Sequence, residues 1–198
     1  MTPASMASRP RGALAAADRR AELGGVLVLA GSVALLLSRP ALSASRSAPL
    51  VLLALYMAIG GASAAANIAP REGSAALAPS TALLLGLVGL GTVAWMSGTP
   101  VPIPWSPWAP VLGVCAAVAE EALFRRLAYG RLLRFGVPVA IVGSAVAFAL
   151  LHVPLYGVAV MPIDLGAGLL LSWQRWASGT WTVPAATHAV ANLLAVIR

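Results

Sequence analysis

Charge is scarce in this sequence, and lysine is absent from it. Only 10% of the 198 residues are charged, 60% are hydrophobic, and all 13 basic residues are arginine. A soluble domain carries about 25% charged residues, so this composition excludes a soluble globular fold. The arginines stand at the ends of apolar runs rather than on one polar face. That distribution is typical of membrane topology, and it argues against a nucleic-acid partner.

Cysteine is nearly absent as well. Cys115 is the single cysteine, so the chain forms no internal disulfide. It lies in a run of small residues, "GVCAAVA". A buried packing role is favoured there over a role as a nucleophile.

Long apolar runs recur along the whole chain and predict an all-α fold, a polytopic transmembrane helical bundle of about seven spans. Residues 1–20 are polar and Arg-rich, and we expect a cytoplasmic arm that is disordered or interfacial. Residues 21–198 form the transmembrane domain. A cleaved signal peptide is the alternative interpretation of the first run. The seven predicted segments are 22–38, 48–68, 76–96, 108–128, 136–156, 159–176 and 181–197.

The arginines also predict the orientation of the chain. With a cytoplasmic N-terminus, ten of the 13 arginines lie inside, and Arg39, Arg46 and Arg198 lie outside. This bias follows the positive-inside rule for seven spans. Exclusive use of arginine with abundant Ala, Gly and Leu is typical of a GC-rich bacterial genome. The predicted location is therefore the bacterial cytoplasmic (inner) membrane, as a multi-pass protein.

Few ionisable or strongly polar residues lie at membrane depth, and they fall in three of the last four segments. Each intramembrane charge costs at least a few kcal/mol, roughly, so such residues face the protein interior or a water-filled cavity. Their confinement to late segments predicts one shared site within residues 108–195. The set comprises Glu120, Glu121, Arg125, His152, His188 and Asn192.

The stretch "EEALFR" separates two adjacent carboxylates by helical geometry. Glu121 and Arg125 are four residues apart on one helix face, so they can form an ion pair. Glu120 is rotated by about 100° from Glu121. We therefore assign Glu121 to structure and Glu120 to chemistry, as a general base.

Two further helical spacings accompany this stretch. Phe148 and His152 share one face, and Pro154 should kink or end their helix. His188 and Asn192 share a face of a last helix that starts near Pro184. A neutral His188 near the positive helix end, together with Asn192, would offer two hydrogen-bond donors to an oxyanion.

These three stretches, "EEALFR", "FALLH" and "HAVAN", match the patterns Glu-Glu-x-x-x-Arg, Phe-x-x-x-His and His-x-x-x-Asn. In this order on successive late helices, residues 108–195 resemble the CPBP family. That family comprises the CAAX protease and bacteriocin-processing (Abi) proteins, which are glutamic-type intramembrane proteases and include the Rce1-type prenyl endopeptidases.

The resemblance implies a role for each matched residue. Glu120 and His152 would activate a water molecule for attack on a peptide bond, and His188 and Asn192 would stabilise the oxyanion. Glu121, Arg125 and Phe148 would be structural support. The expected partners are the lipid bilayer and a membrane-embedded or membrane-anchored protein or peptide substrate.

Three alternatives remain open at this stage. Glu120 with the two histidines would be a possible zinc ligand set, although no His-Glu-x-x-His spacing is present and we expect no cofactor. A non-proteolytic immunity or scaffold membrane protein would keep the same fold. A proton-coupled transporter would use the Glu pair, but the sequence shows no internal repeat.

Overall fold

In the computed structural model, residues 11–43, 47–66, 75–96 and 106–196 are described. Within these ranges the chain forms helices and no strand, which confirms the all-α fold class. The elements are α1 (Arg11–Leu37), α2 (Arg39–Leu42), α3 (Ala48–Ala65), α4 (Pro79–Met96), α5 (Ala109–Glu121), a π-helix (Ala122–Ala128), α6 (Tyr129–Leu132), a 3₁₀ turn (Leu133–Phe135), α7 (Val137–Tyr156), a second 3₁₀ turn (Val158–Val160), α8 (Met161–Ser178) and α9 (Thr182–Val196).

Every predicted apolar segment coincides with a helical stretch, but not every stretch is long and apolar enough to cross a membrane. Three helical ranges meet both conditions within the described residues: Arg19–Leu37, Ala48–Ala65 and Val137–Tyr156. Pro79–Val93 and Thr182–Val196 are shorter apolar helices. Seven spans and their orientation therefore stay predictions. Arg9, Arg46, Arg71 and Arg198, which entered the orientation argument, lie outside the described residues.

The described part of the N-terminal arm, residues 11–20, is helical and continues directly into the first apolar segment as α1. This helix is not the disordered arm of the expectation, and the interfacial location stays a prediction. Four alanines between positions 13 and 17 give this stretch a high helix propensity despite its arginines. Residues 1–10 lie outside the described part of the chain.

The surface and the interior reverse the usual distribution of a soluble protein. Large apolar side chains face outward, among them Leu27 (71% exposed), Val88 (67%) and Met57 (66%), whereas Glu121 and Arg125 are fully buried. So much exposed apolar surface requires an apolar surrounding. The protein is therefore a membrane protein, and its own helices enclose charged groups such as Glu121 and Arg125.

The helix α5 and the π-helix occupy the centre of the bundle. α5 packs on α9 and α3, and the π-helix contacts α1, α3 and α7. Leu55 and Ile59 of α3 meet Leu123 and Phe124 of the π-helix in the buried apolar core. The central position of α5 brings its last residues within reach of side chains from several other helices.

Helices α7 and α8 approach each other closely at Gly168. A Cβ atom at this position would lie 3.0 Å from both the Cα and the carbonyl oxygen of Ala145. Ser144 and Ser172 also form a hydrogen bond of 2.8 Å across the same contact. This contact fixes α8 against α7, which carries the predicted Phe148 and His152.

Two predicted helix ends shift by two residues. Pro154 was expected to kink or end its helix, and α7 continues from it only to Tyr156, where Gly157 turns the chain with φ +86°. The last helix begins at Thr182 rather than near Pro184. His188 therefore lies beyond the first turn of α9, where the positive helix end has less influence.

Candidate active site

Glu120 and Glu121 end α5 at the point where the α-helix changes into the π-helix. π-Helical turns are rare and are found frequently at functional sites. Glu120 is 3% exposed and Glu121 is fully buried. Although they are neighbours in sequence, the two carboxylates have different partners.

Glu121 lies in a closed ionic cluster. Its Oε2 is 3.1 Å from Nε of Arg125, the i,i+4 ion pair that the spacing predicts, although the two atoms are not aligned as a hydrogen bond. Its Oε1 accepts a hydrogen bond of 2.9 Å from Nδ1 of His188 in α9. Glu121 is thereby shared between a cation of its own helical segment and a histidine from 67 residues away.

Arg125 is held by more than its carboxylate partner. Its Nη2 donates to the carbonyl oxygen of Gly168 at 3.2 Å, and its Cζ lies 4.6 Å from the ring centroid of Phe148. A guanidinium at that distance from an aromatic ring makes a cation–π contact. Arg125 thus connects the π-helix to both α7 and α8.

Glu120 has two neighbours, and one of them was not predicted. Nη1 of Arg39 in α2 donates to Oε1 of Glu120 at 3.0 Å. Nε2 of His152 lies 3.8 Å from Oε2 of Glu120. The sequence interpretation had used Arg39 for topology alone and had left Glu120 without an ion-pair partner.

The orientation of the His152 ring fixes its tautomer. Nδ1 of His152 is 2.8 Å from the carbonyl oxygen of Phe148. A carbonyl oxygen only accepts hydrogen bonds, so Nδ1 carries the hydrogen. In the neutral ring, the lone pair of Nε2 then points toward Glu120 and can accept a hydrogen bond or a proton.

Phe148 lies between the two ionic groups. Its ring centroid is 4.4 Å from that of His152 and 5.8 Å from that of His188. It also meets Phe124 edge to face at 5.5 Å. With the cation–π contact to Arg125, Phe148 fixes the positions of groups from the Glu121 cluster and from the Glu120 side.

The two predicted oxyanion donors already have partners. The Nδ1 hydrogen of His188 is donated to Glu121, so a neutral His188 has no hydrogen left on Nε2 to donate. Nδ2 of Asn192 donates one of its two hydrogens to the carbonyl oxygen of Gly113 in α5 at 3.0 Å. In this arrangement a free donor on His188 requires a doubly protonated ring, and its role at the oxyanion stays a prediction.

A cavity of about 470 Å³ brings these residues together. Glu120, Phe148, His152, His188 and Asn192 all line it, as the prediction of one shared site requires. Glu121 and Arg125 do not line it and lie behind the wall. Its walls come from α5, α7, α8 and α9, and also from α2, α3 and α4 of the first half of the chain.

The predicted site leaves out several polar residues of this region, among them Asp164, which the sequence places near the outer end of the sixth apolar segment. Arg39, Tyr56 and Asp164 line the cavity, and Oδ2 of Asp164 is buried without a hydrogen-bond partner among the described residues. Gln174, fully buried in α8, donates from Nε2 to the carbonyl of Ala82 and to Oγ1 of Thr187. Asp164 and Gln174 were detectable as intramembrane polar residues, but the sequence around them offered no spacing that joined them to the others.

The donor atoms do not form a metal site in the described ranges. The hydrogen bonds at Nδ1 leave Nε2 of both histidines free, an orientation that metal-ligating histidines also adopt. However, within the described residues no group of three or more His, Cys, Asp or Glu side chains is arranged to hold a metal ion. Glu120, His152 and His188 do not form such a group in this arrangement, and the absence of a cofactor stays a prediction.

The fold and this site define an integral membrane protein whose helices enclose a polar cavity. The family model described as type II CAAX prenyl endopeptidase Rce1-like matches residues 102–194, a little under half of the chain. Residues 102–194 are therefore similar to the Rce1-like family, and the predicted resemblance to the CPBP proteases is confirmed over this part of the chain. The search of curated proteins and the search of solved structures returned no match.

The matched region contains α5 to α8, α9 as far as residue 194, and all seven residues that were predicted as catalytic or supporting. The match supports a CAAX-type intramembrane endopeptidase, a hydrolase that acts on membrane-associated protein substrates. Arg39 lies outside the matched residues.

Proposed function

We propose that this protein is a glutamic-type intramembrane endopeptidase that uses Glu120 and His152 to activate water. The observation that carries the proposal is the 3.8 Å gap between Oε2 of Glu120 and Nε2 of His152 on the wall of the cavity. This gap is too long for a direct hydrogen bond. A single water molecule beside both atoms would bridge them.

The nature of the two acceptors explains how that water would react. Both the carboxylate oxygen and the bare Nε2 accept hydrogen bonds, so the two hydrogens of the water point at them and its lone pairs point into the cavity. The water oxygen attacks the carbonyl carbon of a peptide bond as Glu120 takes up one proton. The resulting tetrahedral oxyanion collapses with cleavage of the C–N bond, and the proton passes from Glu120 to the leaving amine.

Stabilisation of the oxyanion falls first to Asn192. The second hydrogen on its Nδ2 is not used by Gly113 and is available in every protonation state of the site. His188 adds a donor at Nε2 only when its ring is doubly protonated, and Glu121 lies at Nδ1 to balance that charge. Removal of one such donor costs about 10²–10³-fold in kcat in other hydrolases.

Glu121 and Arg125 support the site without touching the substrate. Their ion pair, the hydrogen bond to Gly168 and the contact with Phe148 hold the end of α5 in register with α7 and α8. The ring of Phe148 lies against His152 and limits the positions open to the imidazole. These three residues are positioning groups in the proposed mechanism.

The proposed mechanism requires no metal. Elemental analysis of the purified protein should find no stoichiometric zinc, and incubation with a chelator should leave activity unchanged. Stoichiometric zinc, with activity lost to the chelator and restored by zinc, would contradict the metal-free mechanism.

The proposed setting is the bacterial cytoplasmic membrane, which the chain crosses several times. The exposed apolar side chains of α1, α3 and α4 favour contact with lipid along these helices. The proposed substrate is a membrane-embedded or membrane-anchored protein or peptide, whose scissile bond enters the cavity beside Glu120.

The direct test is Glu120→Gln in the full chain in proteoliposomes. The probe is a prenylated CAAX peptide with a fluorophore and a quencher on the two sides of its scissile bond. Glu120→Gln keeps the size of the side chain and removes the base, so we expect cleavage to fall by about 10²–10⁴-fold. The matched control is Glu22→Gln, which removes a carboxylate from an exposed pair with Arg134.

Cleavage at the wild-type rate by Glu120→Gln would disprove the catalytic assignment. A second readout does not depend on the choice of peptide: the termini of membrane proteins in a deletion strain complemented with each variant. A cellular phenotype that persists with Glu120→Gln would favour the scaffold or immunity alternative.

A further inference from the structure

Among the described residues outside the family-matched region, Arg39 is the one that forms an ion pair with the proposed catalytic base. It begins the short helix α2 between α1 and α3, directly before Pro40. Its side chain is 12% exposed, and Nη1 is 3.0 Å from Oε1 of Glu120 and 3.3 Å from the hydroxyl of Tyr56. The guanidinium thus reaches from the connection between two helices into the wall of the cavity.

Several charged or titratable groups surround Glu120, and they come from six elements besides α5. Arg125 is already paired with Glu121, and among the described residues Arg39 is the one arginine within ion-pair distance of Glu120. The group comprises Arg39 of α2, Tyr56 of α3, Glu121 and Arg125 beside Glu120 itself, His152 and Tyr156 of α7, Asp164 of α8 and His188 of α9.

The contact with Arg39 divides the two oxygens of Glu120 between different tasks. Oε1 is occupied by the guanidinium, and Oε2 is left beside Nε2 of His152. Without Arg39, the carboxylate could rotate, and its charge would lie at membrane depth with no paired cation. An unpaired charge in such a position is costly and tends to be neutralised by protonation.

We propose that Arg39 is a positioning residue that fixes Oε2 of Glu120 toward the reactive water and supplies the cation that pairs with this carboxylate. This inference rests on the proposed function, because it assigns Arg39 to the same base. It extends the working site beyond residues 102–194 to the connection between the first two apolar helices.

Arg39 is suited to this task because it keeps its charge. Burial acts to lower the pKa of Arg39, but the Glu120 carboxylate and Tyr56 oppose this effect, and the net shift of its pKa is upward. The guanidinium is therefore cationic over the whole range in which a carboxylate titrates. Its Nη2 is buried without a hydrogen-bond partner among the described residues. A lysine at this position would keep the charge and a donor for Glu120, and would remove that unpaired group.

The test compares Arg39→Ala and Arg39→Lys with wild type in proteoliposomes, using the same prenylated peptide across a range of pH. Arg39→Ala should lower kcat by about tenfold or more. It should also move the acidic limb of the pH–rate profile upward by about one pH unit or more, because a carboxylate that loses a neighbouring cation binds a proton more readily. Arg39→Lys should bring the acidic limb most of the way back to its position in wild type. Arg134→Ala, which breaks the exposed pair with Glu22, should behave as wild type.

A second measurement keeps the inference testable without any substrate. Infrared difference spectra recorded during a pH titration report the protonated carboxyl group, and the band that disappears in Glu120→Gln belongs to Glu120. Its midpoint should lie at higher pH in Arg39→Ala than in wild type, and Arg39→Lys should return it. Equal midpoints in Arg39→Ala and wild type would overturn the role of Arg39.

The outcomes separate the two proposals. Loss of cleavage in Glu120→Gln together with an unchanged pH profile in Arg39→Ala would leave the protease mechanism standing and refute the positioning role. A shifted infrared midpoint in Arg39→Ala, with full cleavage by Glu120→Gln, would refute Glu120 as the base and retain the electrostatic pairing. A kcat loss in Arg39→Ala with neither a pH shift nor rescue by lysine would indicate a structural role alone.

Discussion

Glu120 and Glu121 are adjacent in sequence but differ in almost every physical respect. Glu121 is fully buried and shared between Arg125 and His188, away from the cavity. Glu120 lines the cavity, with Arg39 on one oxygen and a gap of 3.8 Å to His152 on the other. Rotation by about 100° between neighbouring helical residues is enough to separate a closed ionic cluster from an open reactive group.

The comparison predicts opposite consequences for the same substitution at the two positions. Glu121→Gln leaves Arg125 and His188 without their carboxylate and should cost about 3–5 kcal/mol of stability, because breaking a buried pair strands a charge. Glu120→Gln should cost less stability, because Arg39 is partly exposed, and should instead lower activity by about 10²–10⁴-fold. Unfolding in detergent can be followed by the reaction of the single, partly buried Cys115 with a thiol reagent.

Equal unfolding temperatures for the two glutamine variants would contradict this division. So would a Glu121→Gln protein that is folded and fully active, since the cluster would then have no measurable role. A variant with both substitutions tests independence, and its effects should add if the two carboxylates belong to separate groups.

His152 tests the Glu120 side alone. His152→Ala removes the second acceptor of the bridging water and should reduce kcat by about 10²-fold or more. The unfolding temperature should change less than in Glu121→Gln, because Glu120 keeps Arg39 as its partner. Activity within a few-fold of wild type would exclude His152 from water activation.

Gly168 tests the close contact between α7 and α8 that lies behind Glu121. Its carbonyl oxygen accepts from Arg125, and an added Cβ would meet backbone atoms of Ala145 at 3.0 Å. Gly168→Ala should therefore destabilise the protein by about 1–3 kcal/mol. Gly166→Ala on the same helix is the matched control, since nothing lies within 4 Å of its Cβ position, and it should be neutral or slightly stabilising.

If Gly168→Ala and Gly166→Ala change the stability equally, then α7 and α8 can move apart at this contact. Activity measured on the same two proteins sharpens the comparison. If the α7–α8 contact positions His152 through Arg125 and Phe148, Gly168→Ala should also lower kcat, whereas Gly166→Ala should not.

The smallest expected effect on stability is at Arg126. Arg125 and Arg126 are, like Glu120 and Glu121, adjacent residues with different surroundings. Whereas Arg125 is buried with Glu121, Arg126 donates from Nη1 to the carbonyl oxygens of Ser63 and Ala66 at the end of α3. Arg126→Gln should cost roughly 0.5–1 kcal/mol by removing this cap from the negative helix end. Arg134→Gln in the exposed pair with Glu22 should cost almost nothing. A larger loss of stability in Arg126→Gln than in Glu121→Gln would contradict this ranking.

Local spacing alone predicted part of this site. Helical periodicity paired Glu121 with Arg125, and it placed Phe148 with His152 and His188 with Asn192 along one cavity. These predictions depend on residues four apart, whose geometry the helix itself dictates. The same reasoning failed for the direction of each hydrogen bond, since the partners of His188 and Asn192 are Glu121 and Gly113 on another helix.

The sequence by itself determined the membrane class, the helical fold and the identity of the polar residues, because scarcity of charge and a period of 3.6 residues are local properties. Only the tertiary structure decided which groups meet. Arg39 reaches Glu120 across 81 residues, and His188 reaches Glu121 across 67. Such contacts depend on how helices pack against one another, and no spacing within a single helix encodes them.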